Sequence, residues 1–230
     1  MRWFIGYTIA ICTLLIVISQ SIIFPTFFMP FFSWQYNRLD TAYNMQMEKD
    51  ELMRVTGELL DYMRGRRYSL EDVTGVVAGE YRLFFSDIEI RHMIDVLELY
   101  NIAFIIRNVA FFLIIGLTLC LVLLKHEVIF TIARALRDVF IAFLAALFLL
   151  MAIIAINFSR AFDIFHEIFF NNDYWILNPR VDLLINMVPL GFFIHISIFI
   201  ALLLIVSSGL IILFSILYIR SRPKTGRLLL

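Results

Sequence analysis

The sequence predicts an all-α membrane protein: four transmembrane helices carrying a small, mainly helical extracellular cap. Three observations predict it. Hydrophobic residues make up 62% of the 230-residue chain and mean hydropathy is +0.89, well above the ~45–50% apolar content of soluble domains. Four apolar runs reach the roughly 20 residues that a bilayer-spanning helix needs. The charges, although they sum to zero, separate into two sets of opposite sign along the chain.

The first run covers residues 4–24. Arg2 precedes it, as in a secretion signal, but the run is too long and too evenly apolar for one. It ends in Pro25-Thr26-Phe27-Phe28-Met29-Pro30 without a small-residue cleavage pattern, so it is expected to be a retained helix. The next three spans are expected at about 103–124, 139–157 and 184–219. The last is long for one crossing, and Pro189 should open or kink it near the interface.

Between the first two spans lies a segment too polar to insert. Leu39, Tyr43, Met47, Leu52, Val55, Leu59, Tyr62 and Met63 recur at three- and four-residue intervals, the period of one or two amphipathic helices. Gly65-Arg66-Arg67 should end that pattern. Residues 68–85 mix valines and aromatics with glycines and suit short strands or an irregular turn. Ser86-Asp87-Ile88-Glu89 reads as a helix start, with a capping residue and early acids.

Charge then orients the chain. The N-terminus, the loop 125–138 and the tail 220–230 hold eight of the nineteen basic residues and only two of the nineteen acidic ones, a balance of +6. The remainder carries −6. Basic residues in short loops stay in the cytoplasm. Both termini are therefore expected inside, and residues 31–102 and 158–183 are expected outside as the cap. The cytoplasmic loop and tail suit anionic-lipid contacts. Cys12 and Cys120 both fall within predicted spans, which excludes a disulfide framework and suits buried, inert thiols.

The chemistry concentrates in HEIFFNNDYWILNPRVDLLINMVP, from His166 to Pro189. A plain connection between two helices does not need a histidine, four asparagines, an arginine and this many aromatics at a membrane surface. Of the four histidines, His126 is expected as a solvated cytoplasmic residue and His195 as a structural one inside the fourth span. His92 and His166 are both expected outside, close to a membrane boundary. On a helix Glu89 and Asp95 flank His92 at three residues, and Asp163 precedes His166 by three. A carboxylate there would fix an imidazole tautomer; ordinary helical ion pairs would give the same spacing. The aromatic run around Phe162–Trp175 could wall a cavity for acyl chains or simply form a greasy core. No H-x-x-x-H or H-E-x-x-H spacing argues for a metal. No G-x-S-x-G elbow frames Ser86, and no glycine loop cradles a phosphate.

The order of the spans, the patch SDIEIRHMIDV and above all FHEIFFNNDYWILNPRVDLLINMVPLGFF resemble the bacterial lipoprotein intramolecular transacylase family. That resemblance implies an enzyme that moves the sn-2 acyl chain of a diacylglyceryl lipoprotein to its N-terminal cysteine amine, leaving the lyso form. It implies two catalytic histidines where the cap meets the membrane, which fall on His92 and His166. His166 is then the expected general base and His92 its acid partner, or the reverse. Asn172, Trp175, Asn178 and Arg180 become candidates for orienting the substrate or an oxyanion. No cofactor is expected, and the expected partners are a lipoprotein substrate and membrane lipids, with no nucleic acid. A non-enzymatic scaffold binding a partner through its cap is the alternative, followed by a different lipid-modifying enzyme. A transporter fits worse, since the spans lack paired charges at mid-depth.

Overall fold

A computed structural model describes residues 1–124 and 127–222. Lys125 and His126 of the expected cytoplasmic loop, and the tail from Pro223 onward, lie outside the described residues. Among the described residues four helices are long and apolar enough to cross a membrane: α1 (Arg2–Thr26), α5 (Asp87–Leu123), α6 (Val128–Ile156) and α9 (Leu190–Ser221). Shorter elements lie between them: α2 (Met29–Arg38), α3 (Thr41–Asn44), α4 (Lys49–Met63), strands β1 (Thr74–Val77) and β2 (Glu80–Leu83), α7 (Phe158–Phe169) and α8 (Leu184–Met187). The all-α membrane fold expected from the sequence is thus the observed one, with a single hairpin as its only sheet among the described residues.

The chain divides into two compact units, residues 1–22, 103–156 and 200–230 in one, and residues 23–102 and 157–199 in the other. In the first, Ile5 and Ile9 of α1 and Leu121 of α5 form a buried cluster with Ile114, Leu117, Val128 and Ile132 around it. Gly6 permits a close helix crossing, because a Cβ there would come within 2.8 Å of the Thr131 methyl. The apolar surfaces left exposed on α5, α6 and α9 are what a helix facing lipid requires.

In the second unit α4 buries Leu52, Val55, Leu59, Tyr62 and Met63, the stripe that the 3.6-residue period marks. Tyr36 of α2 is buried against it, its hydroxyl within 2.8 Å of Thr56 Oγ1. Tyr43, assigned to the same stripe by spacing, is instead 84% exposed. The cause is local: Asp40 and Gln46 adopt positive φ of 48° and 52°, so α2, α3 and α4 are separate helices and the phase resets at each break. Gly65 follows α4 with a φ of 70°, the left-handed stop that its position in the sequence suggests. Pro189 separates α8 from α9, where its missing N–H costs nothing.

Helix α5 has 37 residues, about 55 Å at 1.5 Å per residue, against a hydrocarbon core of about 30 Å. Its first sixteen residues hold five charged side chains, whereas the stretch from Ala103 holds one, Arg107, and is otherwise apolar apart from Asn108 and Thr118. The early turns, with His92, therefore precede the apolar stretch of the helix.

Candidate active site

Three segments of the second unit, the start of α5, α7 and the stretch that follows α7, converge on His92 and His166. His92 stands on the second turn of α5. His166 stands near the end of α7, a strongly amphipathic helix capped by Asn157, whose side chain accepts a bond from the Arg160 amide. Their ring centres are 6.0 Å apart, and both residues are buried, at 9% and 7% exposure. Phe170 touches both rings, at 5.3 Å from His92 and 5.5 Å from His166. Phe162 lies 4.3 Å from the His166 ring and Trp175 stacks on it at 4.8 Å, 27° from parallel. Phe162 and His166 fall four residues apart, on one face of α7, and Phe170 is the extended residue that ends the helix.

The bond network assigns the His166 tautomer. Its Nδ1 lies 2.7 Å from the Phe162 carbonyl. A carbonyl only accepts, so Nδ1 carries the hydrogen and Nε2 keeps a lone pair. Among the described residues nothing bonds that Nε2. The Nδ1 of His92 is buried without a partner. Burial in this aromatic setting disfavours the charged form of both rings. It lowers His92 to about 4, with the neighbouring His166 lowering it further and Asp95 opposing. Burial likewise lowers His166, against the upward pulls of the Phe162 carbonyl and Asp163. Both imidazoles are neutral near pH 7.

Glu89 and Asp95, which flank His92, take other partners. Glu89, 1% exposed, accepts the Ser86 amide at 2.6 Å and also the Leu184 amide. Asp182 accepts the Ser86 hydroxyl at 2.9 Å and the Asn178 amide at 2.7 Å. Ser86 and Glu89 thus form only half of a capping box. The Ser86 hydroxyl is diverted to a residue 96 positions away, and the segment between α7 and α8 is strapped to the start of α5. Burial raises the Glu89 carboxyl above its usual range despite the amides that favour its charge. Asp95 accepts a bond from Asn172 Nδ2 at 2.9 Å.

The residues singled out in the sequence therefore divide. Trp175 reaches His166 directly, and Asn172 reaches the turn of α5 that follows His92. Asn178 serves a tight turn, its side chain accepting the Arg180 amide at 3.0 Å; Arg180 is exposed, and neither residue contacts the histidine pair. His195 is a separate feature, its Nδ1 2.8 Å from Oε1 of the fully buried Gln35. Nothing in the sequence singles out Asp182, and the spacing that leaves Glu89 within reach of His92 does not reveal that its carboxylate lies on the backbone of residue 184. The spacing S-x-x-E announced the helix start, but nothing local announces a partner 95 residues later.

Three comparisons bear on this arrangement. The model of a family described as lipoprotein intramolecular transacylase matches residues 7–193. The fold matches the in meso structure of the integral membrane lipoprotein intramolecular transacylase from Bacillus cereus with a TM-score of 0.77 and 21% identity, covering 96% of this chain and 99% of that one. A structure of the same Bacillus cereus protein with one histidine replaced by alanine matches with a TM-score of 0.71 and 21% identity, over 96% and 94% of the two chains. No curated protein matches the chain significantly. At that identity the structures establish the fold alone, whereas the family model covers most of the sequence. On that ground the chain belongs to the lipoprotein intramolecular transacylase family, and its activity is acyl transfer within a lipoprotein.

Proposed function

We propose that the protein moves the sn-2 acyl chain of a diacylglyceryl-modified lipoprotein onto the free amine of its N-terminal cysteine, with His166 and His92 handling the protons. One observation carries the assignment of roles: the Phe162 carbonyl holds His166 in the tautomer whose Nε2 is basic and unoccupied. The amine nitrogen forms a bond to the ester carbonyl carbon and gives its proton to Nε2. The proton held on His166 passes to His92, which delivers it to the glyceryl oxygen as the tetrahedral intermediate breaks its bond to that oxygen, so both imidazoles end neutral, as they began. No enzyme nucleophile is needed, because attacker and electrophile belong to one molecule. The protein contributes confinement, dry surroundings and placed bases.

The surrounding residues support this division of labour. Trp175 and Phe162 hold the His166 ring between aromatic surfaces. Glu89 and Asp182 hold the segment that carries Trp175 to the helix that carries His92. They are positioning groups in this reading. Asn172 keeps Asp95 engaged, and Asn178 and Arg180 remain at the turn as candidate contacts for the lipid head. The charge distribution supports cytoplasmic termini, with the histidines on the outer side of a bacterial cytoplasmic membrane.

The test uses purified protein and a synthetic diacylglyceryl lipopeptide, with the product read by mass spectrometry. His166→Ala and His92→Ala should each lower kcat by about 10²–10⁴-fold while retaining a folded melting transition. Near-normal turnover in both variants would defeat the assignment. The family membership leaves the scaffold reading without support.

A further inference from the structure

We infer that the outer edge of β2 is the docking strand for the extended peptide that follows the modified cysteine of the lipoprotein substrate, an inference that rests on the proposed function. The hairpin is unusual in having one edge covered and the other bare. On the covered edge, Arg54 donates to the Thr74 carbonyl at 2.5 Å and the Val76 amide donates to Glu51 at 3.3 Å. Thr74 and Val76 thus turn their backbone groups towards α4. Between them, Gly75 and Val77 face β2, where they pair with Arg82 and Glu80. The Phe84 amide bond to the Val73 carbonyl, at 2.8 Å, continues the same alternation. Backbone groups in an antiparallel ladder alternate sides. The N–H and C=O of Tyr81 and Leu83 therefore point away from β1, and among the described residues nothing bonds them.

That edge is open and held in shape. All four β2 residues are exposed, Tyr81 at 74% and Leu83 at 58%. Ala78 and Gly79, with φ of 52° and 82°, make the two-residue turn that matches strand twist, and the Ala78 amide is tied to the Gln46 carbonyl at 2.9 Å. The Tyr81 hydroxyl lies 2.7 Å from Thr74 Oγ1 across the hairpin. A bare, pre-ordered edge is what strand addition uses, and it reads backbone without regard to side chain.

The occupant follows from continuity with the site. β2 runs directly into Phe84 and Phe85, 1% and 4% exposed, then into Ser86 in the carboxylate strap and onward to His92. Four extended residues and five helical steps separate Leu83 from His92, a span of at most about 20 Å. An extended peptide covers that distance in about six residues. A lipoprotein whose cysteine amine sits at the histidine pair would lay residues near the sixth on Tyr81 and Leu83.

The test is a series of diacylglyceryl lipopeptides, each N-methylated at one of residues two to nine. Strand pairing predicts that KM rises about tenfold at two alternate positions, with their neighbours little affected and kcat unchanged. Leu83→Pro removes one outward N–H at an edge position where proline is tolerated. It should lower kcat/KM for the peptide relative to diacylglyceryl cysteine amide. A flat or contiguous sensitivity profile, with transfer intact, overturns the docking strand and leaves the proposed function standing. Edge-to-edge dimerisation lost in Leu83→Pro with no change in peptide dependence assigns the edge to a second copy and also overturns it. No transfer to the amine on any substrate refutes the proposed function, and the docking inference falls with it.

Discussion

Replacing Glu89 tests how the site is held together. Its carboxylate is 1% exposed and accepts the Ser86 and Leu184 amides. Glu89→Ala would leave the buried Leu184 amide and the half-buried Ser86 amide unpaired at about 1–3 kcal/mol each. Relief of the burial that raises its own carboxyl offsets part of this, leaving a net loss of about 2–4 kcal/mol. Glu89→Gln keeps the volume and one acceptor oxygen, so about half that loss is expected. Thermal unfolding of the purified variants in one detergent measures the loss directly. Activity should fall as well, because residue 184 and Trp175 share one segment and a displacement of about 1 Å in a reacting geometry costs about 10²-fold. Wild-type melting in Glu89→Ala would refute the energetic argument. Early melting with normal kcat in the folded fraction would refute the positional one.

Acid should weaken the fold through the histidines. The unfolded chain protonates His92 near 6.5 and the folded chain near 4. The unfolded state therefore holds more protons between those values, and stability falls as pH drops through that window by about 3 kcal/mol; denaturant titrations at pH 7 and pH 4.5 measure the slope, which His92→Gln should flatten. For catalysis, the acid limb of kcat/KM should lie below the ordinary histidine range, because both rings are lowered. Trp175→Ala removes the ring stacked on His166 and should lower kcat by up to about tenfold, with Trp175→Phe partly restoring it. His195→Ala strands Oε1 of the buried Gln35 and should lower the melting temperature by a few degrees without altering transfer by the folded protein.

Much of this was legible in the sequence because its causes are local. Apolar length marks the helices that can span a bilayer, and the 3.6-residue stripe of α4 marks its buried face. The S-x-x-E spacing marks the start of α5, and Gly65 marks the end of α4. His92 and His166 could be chosen together because both flank apolar runs on the same expected side. Tyr43 was misplaced because a positive φ at Asp40 resets helical phase, which periodicity alone does not reveal. Helical spacing sets Glu89 within reach of His92, but the amides of residues 86 and 184 take its carboxylate. The tautomer of His166 depends on a carbonyl in its own helix, a partner that every helical histidine has in reach and few use. Asn178 and Arg180 are candidates by their position in the motif, and the turn they build satisfies the asparagine without reference to the histidines.

The central claim is that the acyl chain moves within one molecule under histidine control. The most direct measurement is mass spectrometry of the N-terminal peptide from a lipoprotein made in a bacterium that otherwise produces only the diacylglyceryl form. With the wild-type protein present, the account predicts an acyl group on the cysteine amine at unchanged total mass, and loss of that shift with His166→Ala. An unaltered diacylglyceryl peptide, or a gain of mass from an acyl group delivered by another lipid, with the protein folded in the membrane, would contradict it.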